Sequence, residues 1–180
     1  MSEFVSENPN QYTYIIAGGG MAGLSLAYYL AESKLTFDRI LIIDQGTEVP
    51  KTWSYWSDEL HPFDAYAEQK WNNLQIHTFQ NQTLDLPIAP FVYRKIESSS
   101  WTKSIQDKLR NNPKFEFLQA RVESFHYQGK FAQVKTNLGS FVAIEKLFDS
   151  LSPYPCDLTN PKELKQHFVG LSIETNFPLF

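Results

Sequence analysis

The segment Gly18-Gly19-Gly20-Met21-Ala22-Gly23 constrains this chain more than any other. It follows Tyr12-Thr-Tyr-Ile-Ile-Ala17, a short apolar run of buried-strand type, and leads into Leu24 to Ala31, a run of helix formers apolar all round. After Phe37 and Asp38 comes Arg39-Ile-Leu-Ile-Ile-Asp44, a continuous apolar run of strand length that ends in an acid. A strand covered on both faces belongs to a parallel sheet, so strand, helix and strand here form a βαβ unit. The glycines fall at G-x-G-x-x-G positions, where Gly18 allows the tight turn, Gly20 admits a pyrophosphate close to the backbone, and Gly23 lets helix and strand pack closely. The helix N-terminus offers free N–H groups and a dipole that favours negative charge. Asp44, about 20 residues on, can accept hydrogen bonds from ribose hydroxyls and would repel a 2′-phosphate. A glycine-rich turn without a ligand is the alternative, but strand, helix and acid in register favour a dinucleotide. The motif does not separate NAD from FAD.

The rest of the chain alternates short elements. Gln45 to Lys70 reads as loop-rich and holds Trp53, Tyr55 and Trp56. Leu74 to Phe79 and Thr83 to Leu86 read as a hairpin turning at Asn81-Gln82, and Phe91 to Ile96 as a further strand. Asn81-Gln-Thr83 matches a glycosylation sequon but is read as the turn itself. Ser98-Ser-Ser100 reads as the cap of a helix in which Trp101, Ile105 and Leu109 recur at i, i+4 and i+8. Phe115 to Leu118 resumes the parallel sheet. Val122 to Tyr127, Phe131 to Thr136 and Ser140 to Ala143 form an antiparallel meander, and Leu147-Phe148-Asp149 closes the section. The expected organisation is a polar leader over 1–11, an α/β nucleotide domain over 12–150, and the start of a second domain over 151–180.

Composition excludes several classes. With 42% hydrophobic and 20% charged residues the chain is a folding, not a disordered, sequence. A net charge of −4, with Lys and Arg scattered, gives no footprint for nucleic acid. The single cysteine, Cys156, excludes an internal disulfide and a Cys-rich metal site, and His77 and His167 have no second ligand at metal spacing. The polar start lacks the marks of a signal peptide, and no apolar run nears the ~20 residues that span a bilayer. The expected location is cytoplasmic.

Gly18-Gly-Gly-Met-Ala-Gly-Leu-Ser-Leu-Ala27 resembles the opening of FAD-dependent monooxygenase-like proteins, and the meander ending at Leu147-Phe-Asp-Ser150 resembles the strands that lead back to the flavin in that fold. Two segments are similar to the lycopene β-cyclase family in particular: Lys51-Thr-Trp-Ser-Tyr-Trp56, and Gln166-His-Phe-Val-Gly-Leu-Ser-Ile-Glu-Thr175. The resemblance runs from about Tyr12 to Phe180. It implies a Rossmann-like FAD-binding domain whose 51–95 part contributes to the substrate side. It also implies FAD contacts from Gly18 to Gly23, Asp44, Gln45, Val122 and Asp149, with Trp53 near the flavin or the substrate channel. Arg94 is read either as a contact to the flavin or its phosphates or as a surface residue beside a strand end, and Trp56 as either a core or a site residue. Glu174 is the one acid here considered for catalysis; the alternative leaves Gln166 and Glu174 facing solvent.

Family members are considerably longer, and the acid-rich motif thought to carry their catalytic carboxylate lies beyond the last residue here. The chain is therefore expected to be an incomplete N-terminal part, inactive alone and completed by a C-terminal half. The implied reaction protonates a terminal double bond of lycopene or a related linear carotene, closes a six-membered ring on the cation, and loses a proton to give the β-ring without net redox change. Reduced FAD, with NADPH as electron source, is implied as cofactor, and a peripheral contact with the inner face of the cell membrane follows from the substrate. The rival readings are another FAD-dependent monooxygenase or isoprenoid reductase, and an inactive nucleotide-binding fragment.

Overall fold

The computed structural model describes residues 9–46, 50–58 and 60–151. The first apolar run is β1 (Gln11–Ala17), the glycine segment turns into α1 (Met21–Glu32), and the second apolar run is β2 (Ile40–Asp44). β2 lies parallel to β1, with Ile15 opposite Leu41 and Ala17 opposite Ile43. Alternate residues of each strand face opposite ways, so Ile16, Ile40 and Ile42 enter one core cluster, and Ile15, Leu41 and Ile43 the other. That is why the run is apolar throughout. A register slip between Tyr12 and Tyr14 lets Tyr12 share a face with Ile15.

The stretch read as loop is better ordered than the sequence suggested. It contains β3 (Thr52–Ser57), a 3-10 turn (Pro62–Tyr66) and β4 (Gln69–Trp71). β3 and β4 flank β7 (Val92–Glu97) in a three-stranded antiparallel sheet. Trp53 and Tyr55 alternate with exposed Thr52 and Ser54, a period-2 pattern that stabilises a strand only when β7 comes to pair with it. Between β4 and β7 stands the expected hairpin, β5 (Asn73–His77) and β6 (Thr83–Pro87), with Asn81 at φ 58 in the connection.

Helix α2 (Ser98–Arg110) buries Trp101, Ile105 and Leu109 completely or nearly so, as their spacing required. Its cap differs from expectation. Glu97 is the N-cap and makes no side-chain capping bond, while Ser98 is already helical. The Ser98 hydroxyl is taken by another partner, the Lys51 N–H at 2.7 Å.

β8 (Phe115–Gln119) pairs parallel with β2. β9 (Val122–Gln128), β10 (Phe131–Thr136) and β11 (Gly139–Asp149) form the meander. The segments read separately as 140–143 and 147–149 are one strand: β11 starts antiparallel to β10 and continues parallel to β1. The result is a six-stranded sheet of order β8-β2-β1-β11-β10-β9, with α1 and α2 packed together on one face. Its parallel strands end together at Ala17, Asp44, Gln119 and Asp149, and ligands of open α/β sheets bind beyond such carboxyl ends.

Candidate nucleotide-binding site

The glycine loop is tied to the strand ends on both sides. Gly18 N–H donates to the Ile43 carbonyl at 2.8 Å, and Ser150 N–H to the Ala17 carbonyl at 2.9 Å. Gly18 sits at φ +108, which side-chain-bearing residues rarely adopt, and a Cβ there would run into the Ser150 hydroxyl. At Gly23 a Cβ would collide with the Gly18 carbonyl oxygen, so α1 packs on the loop at a distance only glycine permits. Gly20 differs: it has ordinary backbone angles, and a Cβ on it would meet nothing within 4 Å. The space beside it is open, as the pyrophosphate reading requires.

Gly20 is also the N-cap of α1. No side chain caps that helix and no acid stands in its first turn, so its dipole and first N–H groups are left to whatever enters the pocket. Asp44 fixes the adjoining wall. Its Oδ2 accepts from Gly19 N–H and its Oδ1 from Gly46 N–H, each at 2.7 Å. A carboxylate has about four lone-pair positions, so each oxygen retains acceptor capacity toward the pocket. The same contact gives Gly19 a role the motif spacing did not reveal, since a Cβ there would come within 2.9 Å of the Asp44 Cβ.

A pocket of ≈ 450 Å³ opens over this loop, bounded by Gly18 to Ala22, Asp44 and Gln45 on one side. Lys51, Trp53, Ser98 and Thr102 form the opposite wall. Lys51 is held to the start of α2 by two bonds, from its N–H to the Ser98 hydroxyl at 2.7 Å and from Ser98 N–H to its carbonyl at 2.8 Å. Among the described residues no carboxylate pairs with its ammonium, which leaves a cation facing the glycine loop. Thr102 is 5% exposed. Trp53 stands edge-on to the buried Trp101, with ring centroids 5.2 Å apart, and turns its remaining surface to the pocket. Of this wall only Trp53 was singled out by sequence. Lys51 carried a signal in the Lys-Thr-Trp segment; Ser98 and Thr102 read as cap and helix because nothing local shows that α2 begins beside the glycine loop.

Not every candidate meets the pocket. Met21, Ala22 and Gln45 line it, whereas Asp149 lies at the end of β11 with its Oδ1 accepting from Leu151 N–H, and the pocket is bounded there by Ser150 and Leu151 instead. Val122 opens β9 and packs against the core cluster on the opposite face of the sheet. Arg94 is neither on the surface nor at the pocket. It is 8% exposed in the middle of β7, where its guanidinium meets Asp64 at 3.2 Å and the Ser57 hydroxyl at 2.7 Å. Asp64 is also bonded by the Tyr55 hydroxyl at 2.7 Å and by His61 N–H at 3.1 Å. Burial works to raise the Asp64 carboxyl, but the Tyr55 hydroxyl, the His61 N–H and the Arg94 charge outweigh it and hold it below the ordinary carboxylate range. Burial and the same carboxylate push the Tyr55 hydroxyl well above its usual value. Trp56 is 49% exposed on the outer face of its sheet, against Tyr93 at 4.7 Å, so it is neither core nor pocket. Gln166, His167 and Glu174 lie outside the described residues. Among the described residues no group of three His, Cys, Asp or Glu side chains could hold a metal ion, and no helix is long and apolar enough to cross a membrane.

Sheet order, glycine loop and ribose-type acid define the class: a Rossmann-like domain of the kind found in FAD-dependent monooxygenases. The probable FAD-dependent monooxygenase pqsL of Pseudomonas aeruginosa superposes with a TM-score of 0.58 at 16% identity, over 77% of this chain and 40% of its own. The p-nitrophenol 4-monooxygenase PnpA of Pseudomonas putida DLL-E4 does so with 0.55 at 14% identity, over 74% and 39%. The chain thus spans about two fifths of these structures' length. A search of curated proteins found no match. A family model described as lycopene cyclase protein matches residues 14–180, and the chain belongs to that family.

Proposed function

We propose that this chain is the nucleotide-binding, N-terminal part of an FAD-dependent lycopene cyclase, which closes linear carotene ends to β-rings by acid catalysis without net redox change. The family match over residues 14–180 is the observation that carries this reading. The pocket fits the cofactor: it has an uncapped helix N-terminus, open space beside Gly20, and a carboxylate with acceptor capacity to spare.

In this reading the N–H groups at the start of α1 bind the diphosphate, Asp44 orients the adenosine ribose, and Lys51 neutralises phosphate charge from the opposite wall. Trp53 gives the flavin end an apolar side and keeps water from it. The chemistry reduced FAD supplies when bound is negative charge density, or a proton relay, beside a developing cation. Asp44 is the one carboxylate bordering the pocket among the described residues, and its two oxygens are engaged in holding Gly19 and Gly46, which commits it to the loop and the ribose rather than to the carotene. The acid that protonates the carotene therefore comes from elsewhere, with Glu174 the candidate this chain offers. A carotene substrate brings the enzyme to the surface of the bilayer, and NADPH is the proposed reductant.

The test is FAD titration by fluorescence quenching, followed by incubation with lycopene and reduced flavin, alone and with the C-terminal half of a family member. FAD binding that Asp44→Ala abolishes, and β-ring product from the completed enzyme, are the expected results. Oxygen incorporated at the expense of NADPH would instead make the protein a monooxygenase.

A further inference from the structure

From Trp71 to Tyr93 the only Asp, Glu, Lys or Arg is Asp85, in a chain that is 20% charged. An uncharged run is ordinary in a core, but most of this one is exposed. It comprises the hairpin β5–β6 and its flanks. Leu74 pairs with Leu86 and Ile76 with Leu84, which puts four aliphatic side chains on one face. The opposite face carries the polar groups, and they satisfy one another. Gln75 donates its amide to the Asp85 carboxylate at 2.7 Å, and His77 Nδ1 lies 3.0 Å from the Thr83 hydroxyl. None of the four aliphatic residues joins either core cluster, and β5 and β6 pack mainly on each other. Ile76, Leu84 and Leu86 are exposed, and Phe79 at the turn is fully so.

The foot of the hairpin is aromatic. β4 leads into β5 through Trp71, β7 leads away from β6 through Tyr93, and Trp56 stands beside them on the outer face of that sheet. Ring centroids are 4.7 Å apart for Trp56 and Tyr93, and 5.7 Å for Trp71 and Tyr93. Trp56 and Trp71 are both exposed. An aliphatic hairpin with Phe at its tip and Trp and Tyr at its foot has the order in which side chains meet a bilayer. Apolar groups enter the acyl boundary, and amphipathic rings stay at the headgroups.

The dimensions agree. Elements that lie in a bilayer surface sink about 5–10 Å into it. Ile76 and Leu84 lie one pair below the His77–Thr83 pair that closes the hairpin, and Leu74 and Leu86 lie two residues lower, about 7 Å farther down. Entering tip first to such a depth takes in Phe79, Ile76 and Leu84 and leaves the aromatic row at the headgroups. Charge decides which lipid surface fits. With a net charge of −4 and no Lys or Arg between Trp71 and Tyr93, this segment has nothing with which to hold anionic headgroups. A protein partner held by ion pairs finds no counterpart here either. An electrically neutral lipid surface asks only for apolar area with the polar groups paired internally, which the hairpin provides.

We infer that the β5–β6 hairpin is a membrane-docking element that enters the surface of a zwitterionic bilayer through Phe79, Ile76 and Leu84. The inference rests on the carotene reading for its purpose, since that substrate is dissolved in the bilayer, and names the element that meets the lipid.

The experiment is co-sedimentation of the 180-residue chain with extruded phosphatidylcholine vesicles, in wild type, Phe79→Ser and the double variant Ile76→Thr/Leu84→Thr. All three side chains are exposed and threonine favours strands, so the variants should fold, which circular dichroism checks. The expected result is wild type bound to the vesicles, with a partition coefficient about tenfold lower in each variant. Binding should persist at high salt and in Phe131→Ser, which removes an exposed ring from β10 instead. FAD titration of every variant should match wild type, because no hairpin residue borders the glycine-loop pocket. A wild-type chain that stays in the supernatant, or binding that the hairpin variants retain, overturns the inference and leaves the FAD reading intact. Binding that requires phosphatidylserine in the vesicles and vanishes at high salt overturns it too. So does a wild-type dimer that F79S turns into a monomer, which would give the face to a second copy. Vesicle binding abolished by adding the C-terminal half of a family member would likewise give the face to that half and overturn the inference. Oxygen incorporation in place of β-ring formation would overturn the carotene reading and leave vesicle docking standing.

Discussion

Gly23 and Gly20 occupy equivalent-looking places in one motif, yet the structure assigns them opposite duties, and alanine at each separates stability from binding. At Gly23 the added Cβ meets the Gly18 carbonyl oxygen, the Gly18 carbonyl carbon at 3.1 Å and Ile16 Cγ2 at 3.1 Å. Two of the three neighbours are backbone of the loop itself and cannot rotate away. Alanine gains about 1 kcal/mol of helix propensity over glycine. Overpacking costs typically about 1–3 kcal/mol, and rigid neighbours place this site at the upper end. The net is a loss of about 2 kcal/mol, which for a chain of this length lowers Tm by roughly 4–8 °C. At Gly20 no neighbour lies within 4 Å, so Gly20→Ala should shift Tm by a degree or so at most, from the weaker N-cap. On the proposed reading its methyl group enters the space that receives phosphate, and FAD or ADP affinity should fall at least tenfold. Thermal unfolding followed by circular dichroism, with nucleotide titration of each variant, measures both. If G23A is as stable as wild type, α1 can slide on β1 and the close-packing argument is wrong. If G20A binds nucleotide normally, the open space beside it is not a phosphate site.

Two further outcomes follow from the buried Arg94–Asp64 pair. Arg94→Met should cost about 3–5 kcal/mol in urea unfolding, because it strands a carboxylate that is 7% exposed and keeps Tyr55 and His61 as its donors among the described residues; a loss under about 1 kcal/mol would mean water reaches the site. Asp64 has a lower pKa folded than unfolded, so the stability it contributes is complete at neutral pH and is lost as pH falls through the carboxylate range, from about 4 downward. Tm should therefore hold between neutrality and weak acid and then drop, with a shallower drop in Asp64→Asn; an identical drop in both would place the acid sensitivity elsewhere.

The βαβ start, the glycine loop and Asp44 were legible because each is a local pattern whose partners are a few residues away. Trp101, Ile105 and Leu109 were legible for the same reason. What escaped depends on pairings between distant segments. Trp53 and Tyr55 read as loop residues because the strand that orders them is β7. Arg94 looked like a surface or cofactor residue because Asp64, which draws it inward, is presented by a 3-10 turn that no local pattern announced. Lys51, Ser98 and Thr102 share a wall only after β3 and β7 have brought the start of α2 to the glycine loop. Val122 depends on the same kind of pairing, since the core cluster its side chain packs against is assembled from β1, β2, β10 and β11.

The strand β11 pairs with β1 from the far end of the described sequence. During synthesis β1 can acquire β2 early and β8 later, but its other edge stays open until the ribosome has delivered the meander. Pairings so distant in sequence form slowly, because loop closure precedes any reward. Until Asp149 emerges the nascent protein carries an unpaired, apolar central strand, the kind of edge to which other chains anneal. Newly made protein of this design should therefore depend on chaperone occupancy until Asp149 has emerged, and stalls placed before that residue should yield aggregates where later stalls yield soluble product.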